Sequence, residues 1–304
     1  MIKNILNPKA WGRFSARHLC NAAARLAPNY RFHVPPGHFY SPLLDLESLD
    51  EQDSAFGDDG PGYWQHIDLR REQQFAYYET LLNTLPLPEF PESKTDSLRY
   101  YTDNGMFCFS DAFTLASVIQ KEQPRKIIEV GSGFSSAVML DTLDKTEMTT
   151  QVTFIEPYPD RLNALLRAHD RSRSSTLEQP LQNVPLTLFD ELEKQDILFI
   201  DSTHVAKVGS DVAFLLLRVL PRLKPGVIIH IHDIFYPNSY PIQWIRDGWA
   251  WNESLFLRAF LVGNRDYKII AFNSFAGFSF PELFEKPLPR FLEDTGGSIW
   301  LRKS

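Results

Sequence analysis

A five-residue apolar run that stops on glycine constrains this chain more than any other feature. Lys126-Ile-Ile-Glu-Val130 holds one acid among residues of buried type, and Gly131-Ser-Gly133 follows directly. Such a run reads as a parallel strand covered on both faces. Behind the glycines, Ala137, Val138, Leu140 and Leu143 supply the apolar face of a helix. Strand, glycine turn and helix together let backbone N–H groups and a helix start meet a ligand. A Cβ in that turn would hold the ligand away or forbid the turn.

The pattern then repeats. Further strands are predicted at 151–156, 175–179, 196–201, 226–232, 267–273 and about 298–302, and helices at 135–144, 159–169, 209–222 and near 252–262. Regular alternation predicts an α/β fold: a doubly wound, mostly parallel, seven-stranded, Rossmann-like sheet. Ahead of it, helices are expected at 10–27, from Asp68 to Leu85 and from Ser110 to about Lys121. In the second of these Asp68 is the N-cap, and Phe75, Tyr78, Leu81, Leu82 and Leu85 form the stripe. Residues 33–65 read as a long irregular segment rich in Pro, Gly, Asp and aromatics. The expected division is a helical and irregular N-terminal extension over 1–97, with Gly37 to Tyr40 as part of a lid, and a ligand-binding domain over 98–304.

Charge and cysteines narrow the class. A net charge of -7 over 304 residues argues against a nucleic-acid partner. Cys20 and Cys108 lie far apart with no metal-ligand spacing, which fits a reducing, cytoplasmic setting. No apolar run reaches the roughly 18 residues of a membrane span. Residues 1–44 carry six basic groups and no acid, and seven acids follow between Asp45 and Asp59. A basic helix packed on the domain or on the acidic loop is the expectation, with a transit peptide or membrane-surface helix as the alternatives. A homo-oligomer stays open.

In a doubly wound sheet ligands bind beyond the carboxyl ends of the strands, so the residues closing each strand matter most. The first closes on Glu129-Val-Gly-Ser-Gly133, the second on Glu156-Pro157-Tyr158, and the third leads into Gln182-Asn183. The fourth closes on Asp201-Ser-Thr-His204 and the fifth on His232-Asp233. Glu156, 23 residues after Gly133, can accept both ribose hydroxyls of an adenosine-containing ligand. Ser136 stands where a dinucleotide fingerprint wants its third glycine. Asp201, His232 and Asp233 could hold a divalent cation that lowers a hydroxyl pKa. His204 could instead be a general base, its ordinary pKa being near working pH, so Asp201 and His204 are the candidate base and orienter. His230, deeper in its strand, reads as a hydrogen-bonded core residue. Tyr240, Trp244, Trp249 and Trp251 are candidates for an aromatic wall around a ring-bearing acceptor.

Glu129-Val-Gly-Ser-Gly-Phe-Ser-Ser136, Phe154-Ile-Glu-Pro-Tyr-Pro159, Phe199-Ile-Asp-Ser-Thr-His204 and Leu223-Lys-Pro-Gly-Val-Ile-Ile-His-Ile-His-Asp-Ile-Phe235 resemble the class I S-adenosylmethionine-dependent methyltransferases. The nearest group is a bacterial branch beside the macrocin-type and catechol-type O-methyltransferases, over about residues 98–302. The resemblance implies S-adenosylmethionine as cofactor, contacted by Glu129, Gly131, Ser132, Gly133, Glu156, Pro157, Tyr158, Gln182, Asn183 and Asp201. The glycines would lie along its methionine part, Glu156 on its ribose, Pro157 and Tyr158 beside the adenine, and Gln182 or Asn183 at the adenine edge. It implies Asp201, His204 and Asp233 as the catalytic set. Metal-dependent relatives have an acid–acid or acid–Asn pair where this chain has His232-Asp233, which leaves room for a metal other than Mg²⁺, or for none. The expected activity is methylation of a hydroxyl on a small molecule, a sugar or glycosylated metabolite. A cofactor-binding protein without transfer activity and an NAD-linked oxidoreductase are the alternatives.

Overall fold

Strand β1, Lys126–Val130, lies inside the sheet and is buried from Ile127 onward. The structure is a computed structural model and describes His33, Val34, residues 37–45 and residues 64–304. β2 (Gln151–Ile155) pairs parallel with one side of β1 and β4 (Ile197–Ile200) with the other. β3 (Ser174–Leu177) lies outside β2, and β5 (Ile228–Ile231) outside β4, both parallel. β7 (Ile299–Lys303) inserts antiparallel between β5 and β6 (Tyr267–Phe272). The order is β3-β2-β1-β4-β5-β7-β6, seven strands, as the alternation predicted. The chain winds first to one side of β1 and then to the other, so the crevice between the tips of β1 and β4 is the switch point where such sheets bind ligands.

Ile127, Ile128, Phe154, Leu198, Phe199, Ile229 and Trp300 are all buried, which makes the sheet the middle layer of one core. Helices α1 (Arg71–Thr84), α2 (Phe109–Glu122) and α3 (Phe134–Thr146) pack around it. The α1 stripe follows the predicted spacing. Tyr78, Leu81 and Leu82 are buried, and the Tyr78 ring meets Phe280, Phe284 and Phe291 edge-on or tilted, while its hydroxyl donates to Asn273 Oδ1 at 2.6 Å. Asp68 accepts from the Arg70 amide rather than from the helix interior, and α1 starts at Arg71.

Two predicted helices are shorter than their apolar spacing. α4 covers only Asp160–Leu165, because Asp170 is drawn inward and its carboxylate takes the Arg167 amide, ending the helix early. α5 covers Asp211–Phe214, capped by Ser210, and loosens into a wider π turn over Leu215–Val219 before Pro221. The predicted helix at 10–27 lies outside the described residues.

The chain falls into two compact units, residues 1–58 with 242–250, and residues 59–241 with 251–304. In the first, His38 stacks on Phe39 at 4.3 Å, and α6 (Ile242–Arg246) carries Trp244, 5.0 Å from Trp249. The second holds the sheet and α7 (Glu253–Leu261). Among the described residues no helix is long and apolar enough to cross a membrane.

Candidate functional site

The glycine turn is locked on three sides. Gly131 has φ +80, and a Cβ there would fall 1.7 Å from the Asp201 carbonyl oxygen, so no other residue fits. Its N–H donates to Ile155 O at 3.0 Å, the Ser132 N–H to Glu156 Oε2 at 3.1 Å, and the Gly133 N–H to Ser136 Oγ at 3.0 Å. Beneath the turn, Glu129 is wholly buried. Ser135 and Ser136 each donate to one of its carboxylate oxygens at 2.5 Å. Burial raises the Glu129 pKa to about 8 despite the serine hydroxyls. Glu129 therefore braces strand to helix from below, and it presents no surface to the crevice.

Glu156, at the tip of β2, also accepts the Tyr158 N–H at 2.8 Å, so one carboxylate ties both loops at this edge. Pro157 and Tyr158 are exposed beside it. Gln182 and Asn183 sit in the turn Leu181–Asn183 after β3, with Gln182 Nε2 on Gly209 O at 2.8 Å.

The opposite pole is built around His204. The Asp201 N–H donates to Val130 O at 2.9 Å, tying the β4 tip to β1. Thr203 bonds Asp211 through backbone and hydroxyl, and the His204 carbonyl accepts the Asn252 and Glu253 N–H groups. These contacts hold His204 at φ +58, a left-handed conformation that sends its ring between the tips of β4 and β5. The ring is 4% exposed, its centroid 4.3 Å from that of Trp251, with Nδ1 2.9 Å from Glu253 Oε2. Nε2 lies 3.4 Å from Asp201 Oδ1 and 3.5 Å from Asp233 Oδ2.

Three carboxylates around one imidazole set the protonation. Burial opposes charge on His204, but Asp201 and Glu253 outweigh it and push its pKa up to about 10. Burial raises Asp233 and Glu253. Asp201 ends below its ordinary value, because His232 and His204 overcome its burial. That direction favours the protonated ring, which suits His204 to position the two aspartates more than to accept a proton. Asp233 is the better proton acceptor of the two aspartates.

Of the expected metal ligands Asp201, His232 and Asp233, the histidine stands apart from the cluster. His232 is buried in the strand face, 5.2 Å from the Phe107 ring and 5.7 Å from His230, with Nε2 3.7 Å from Asp233 Oδ1. The ligand atoms that gather within 4.8 Å of one another are those of Asp201, His204 and Asp233. Strand alternation turns His232 toward the packed layer, whereas the left-handed turn brings His204 to the tip. The 3.4 and 3.5 Å spacings are long for hydrogen bonds but match neighbouring ligands on bonds of about 2.1 Å. Glu253 on Nδ1 is the outer carboxylate that metal-bound histidines use. The set fits a divalent cation once His204 has lost its proton, and one imidazole among oxygens favours a transition metal over Mg²⁺. His230 is the expected core residue, 2.9 Å from Ser298 Oγ and stacked on Phe199.

A family model described as a methyltransferase domain matches residues 128–234, the span holding Gly131, Glu156, Asp201 and Asp233. A protein of Archaeoglobus fulgidus described as an "Uncharacterized protein" is 33% identical over 168 residues, 54% of this chain and 75% of its own length. The chain carries a methyltransferase domain on a seven-stranded doubly wound sheet. Among solved structures it is similar to the SAH-bound methyltransferase PaMTH1 of Podospora anserina, at 16% identity and TM-score 0.43 over 86% of this chain and 97% of that one. It is also similar to an O-methyltransferase from Bacillus cereus in complex with SAH, at 14% identity and TM-score 0.37 over 84% and 97%.

In this methyltransferase the sequence pattern left two neighbours of the crevice unnamed. Glu253 is 49 positions from His204 and reads in sequence as an ordinary acid in a first helical turn. Arg161, in α4, brings Cδ to 3.3 Å from where a Gly133 Cβ would stand. Of the aromatic candidates, Trp251 flanks His204, and Tyr240 lies 6.0 Å from Trp251. Trp244 and Trp249 belong to the other unit.

Proposed function

We propose that this methyltransferase binds S-adenosylmethionine across the β1–β4 crevice and moves its methyl group to a hydroxyl of a small, ring-bearing acceptor such as a sugar or glycosylated metabolite. The observation that carries the reading is the cluster of Asp201, His204 and Asp233, whose Asp201 is hydrogen-bonded to the very strand that bears the glycine turn. The glycine turn takes the amino-acid end of the cofactor, and Glu156 takes the ribose hydroxyls. Pro157 and Tyr158 flank the adenine, with Gln182 and Asn183 at its edge.

The acceptor oxygen attacks the methyl carbon in line, the carbon–sulfur bond breaks toward sulfur, and S-adenosylhomocysteine leaves. The hydroxyl proton passes to Asp233, whose raised pKa suits it to receive one. The His204 imidazolium holds Asp201 and Asp233 at a fixed spacing, and Glu253 fixes the ring. Alignment of the two reactants supplies much of the rate. In the alternative state, with His204 neutral, Asp201, His204 and Asp233 would hold a divalent cation that supplies Lewis acidity to that hydroxyl in place of the imidazolium. Trp251 and Tyr240 offer the apolar face that a ring-bearing acceptor needs.

An NAD reading is disfavoured by Ser136, which is buried and engaged by Glu129 and Gly133 where close approach to a pyrophosphate is required. Calorimetric titration tests the reading. S-adenosylhomocysteine is expected to bind and NAD not to, and NAD binding without S-adenosylhomocysteine would end the proposal. Methyl transfer from labelled S-adenosylmethionine across a panel of hydroxyl acceptors then separates an enzyme from a protein that only binds the cofactor.

A further inference from the structure

The glycine turn has a shortage that its fold does not remedy. The N–H groups of Gly131, Ser132 and Gly133 are all engaged within the protein, by Ile155 O, Glu156 and Ser136. None is free for the carboxylate that ends the cofactor's amino-acid arm. The nearby charges at the tips, Glu156 and Asp201, are negative and would repel it. Taking up that carboxylate therefore needs a cation brought from elsewhere.

Arg161 is placed to be that cation. It is the second residue of α4, on the helix that leaves the β2 tip just after Glu156. A Cβ at Gly133 would lie 3.3 Å from its Cδ and 3.5 Å from its Nη1, so the side chain runs along the edge of the turn. Its charge reaches Asp201, whose carboxyl it helps to hold low. The side chain is exposed, and among the described residues it makes no hydrogen bond or ion pair. A guanidinium so placed offers two parallel N–H groups in the geometry a carboxylate accepts.

We propose that the Arg161 guanidinium binds the α-carboxylate of the S-adenosylmethionine amino-acid arm, and so selects ligands that carry that group. The inference rests on the methyltransferase reading above.

The test compares S-adenosylhomocysteine with its decarboxylated analogue by calorimetry on the wild-type chain, Arg161→Ala and Arg161→Gln. Thermal melts confirm that both variants are folded, as expected for an exposed side chain. Both variants should bind S-adenosylhomocysteine about tenfold more weakly while the analogue stays within about twofold, so that the preference for the carboxylate collapses. Equal weakening of both ligands, no weakening, or tighter binding once the guanidinium is gone would each overturn the proposal; the last would make Arg161 an obstruction. Wild-type protein that binds neither ligand would bring down the cofactor assignment and this inference with it. Wild-type binding matched by both variants would remove Arg161 alone.

Discussion

Among the described residues, two places gather a histidine and two aspartates with ligand atoms within 4.8 Å: Asp144, His169 and Asp170, and Asp201, His204 and Asp233. The first is filled. Arg99, 1% exposed on its side chain, sends Nη1 to Asp141 and Asp144 at 2.8 and 2.7 Å, and Nη2 to both oxygens of Asp170 at 2.8 Å. Arg173 adds a contact to Asp144, and the Arg99 and Tyr100 amides both donate to Asp141. The second cluster has no guanidinium at its centre. Its imidazole meets one carboxylate at 2.9 Å and the other two at 3.4 and 3.5 Å, and the Asp201 side chain stays 32% exposed. The same residue types thus make a closed clip in one place and a cluster with open carboxylate oxygens, the proposed reactive site, in the other. The difference is whether a planar cation uses up the oxygen lone pairs.

Breaking the clip should have the largest effect. Arg99→Met leaves the buried carboxylates of Asp141 and Asp170 without their partner and should cost about 3–5 kcal/mol in urea unfolding. The protein that remains folded should still bind S-adenosylhomocysteine, and a loss of binding beyond the loss of folded protein would erase the distinction between the two clusters.

Asp233→Asn should lower turnover on the order of 10²-fold with little change in S-adenosylhomocysteine affinity, as read by single-turnover methyl transfer. Wild-type rates in that variant would leave the second cluster as structural as the first. Asp201→Asn should likewise stop turnover and spare cofactor binding.

Glu253→Gln keeps the size of the side chain but loses the anion that fixes the His204 ring. A fall in turnover of about tenfold is expected, measured beside an unfolding curve that moves little. Should the unfolding midpoint collapse instead, Glu253 would belong with Arg99 as a clip.

The smallest effect lies in pH dependence, where the clip and the glycine turn should slope in opposite directions. Asp144 is held below its ordinary value, since Arg99, His169 and Arg173 outweigh its burial. Its contribution is present above its ordinary value of 3.8 and is lost as pH falls through its folded value. Glu129 is raised from 4.5 to about 8 by burial, so its contribution is full below 4.5 and is lost as pH rises through about 8. Urea midpoints against pH should flatten on the acid side in Asp144→Asn and on the alkaline side in Glu129→Gln.

The sheet was legible in sequence because a parallel strand buried on both faces leaves an unbroken apolar run, and a polar residue closing it marks the end. That reading located Gly131, Glu156, Asp201 and Asp233. Side-chain direction beyond the strand tips was less legible. His204 rather than His232 joins Asp201 and Asp233 because the left-handed backbone at His204 is imposed by Asp211 and by the N–H groups of Asn252 and Glu253. The truncation of α4 has the same origin: Asp170 answers to Arg99, 71 positions away, rather than to its own helix. The short helix α8, Asn273–Ser279, was not foreseen, since Phe272 and Asn273 continue the β6 pattern until Asn273 turns inward to bond Ser110 and Asp111.

Between Gly131 and the Asp201 carbonyl there is no space for even a single added carbon. The proposed seat of the donor and the stem of Asp201 are consequently packed backbone against backbone. On the proposed function, a lineage that changed its acceptor would have to recast the wall at Trp251 and Tyr240, because the floor at Gly131 tolerates no added carbon.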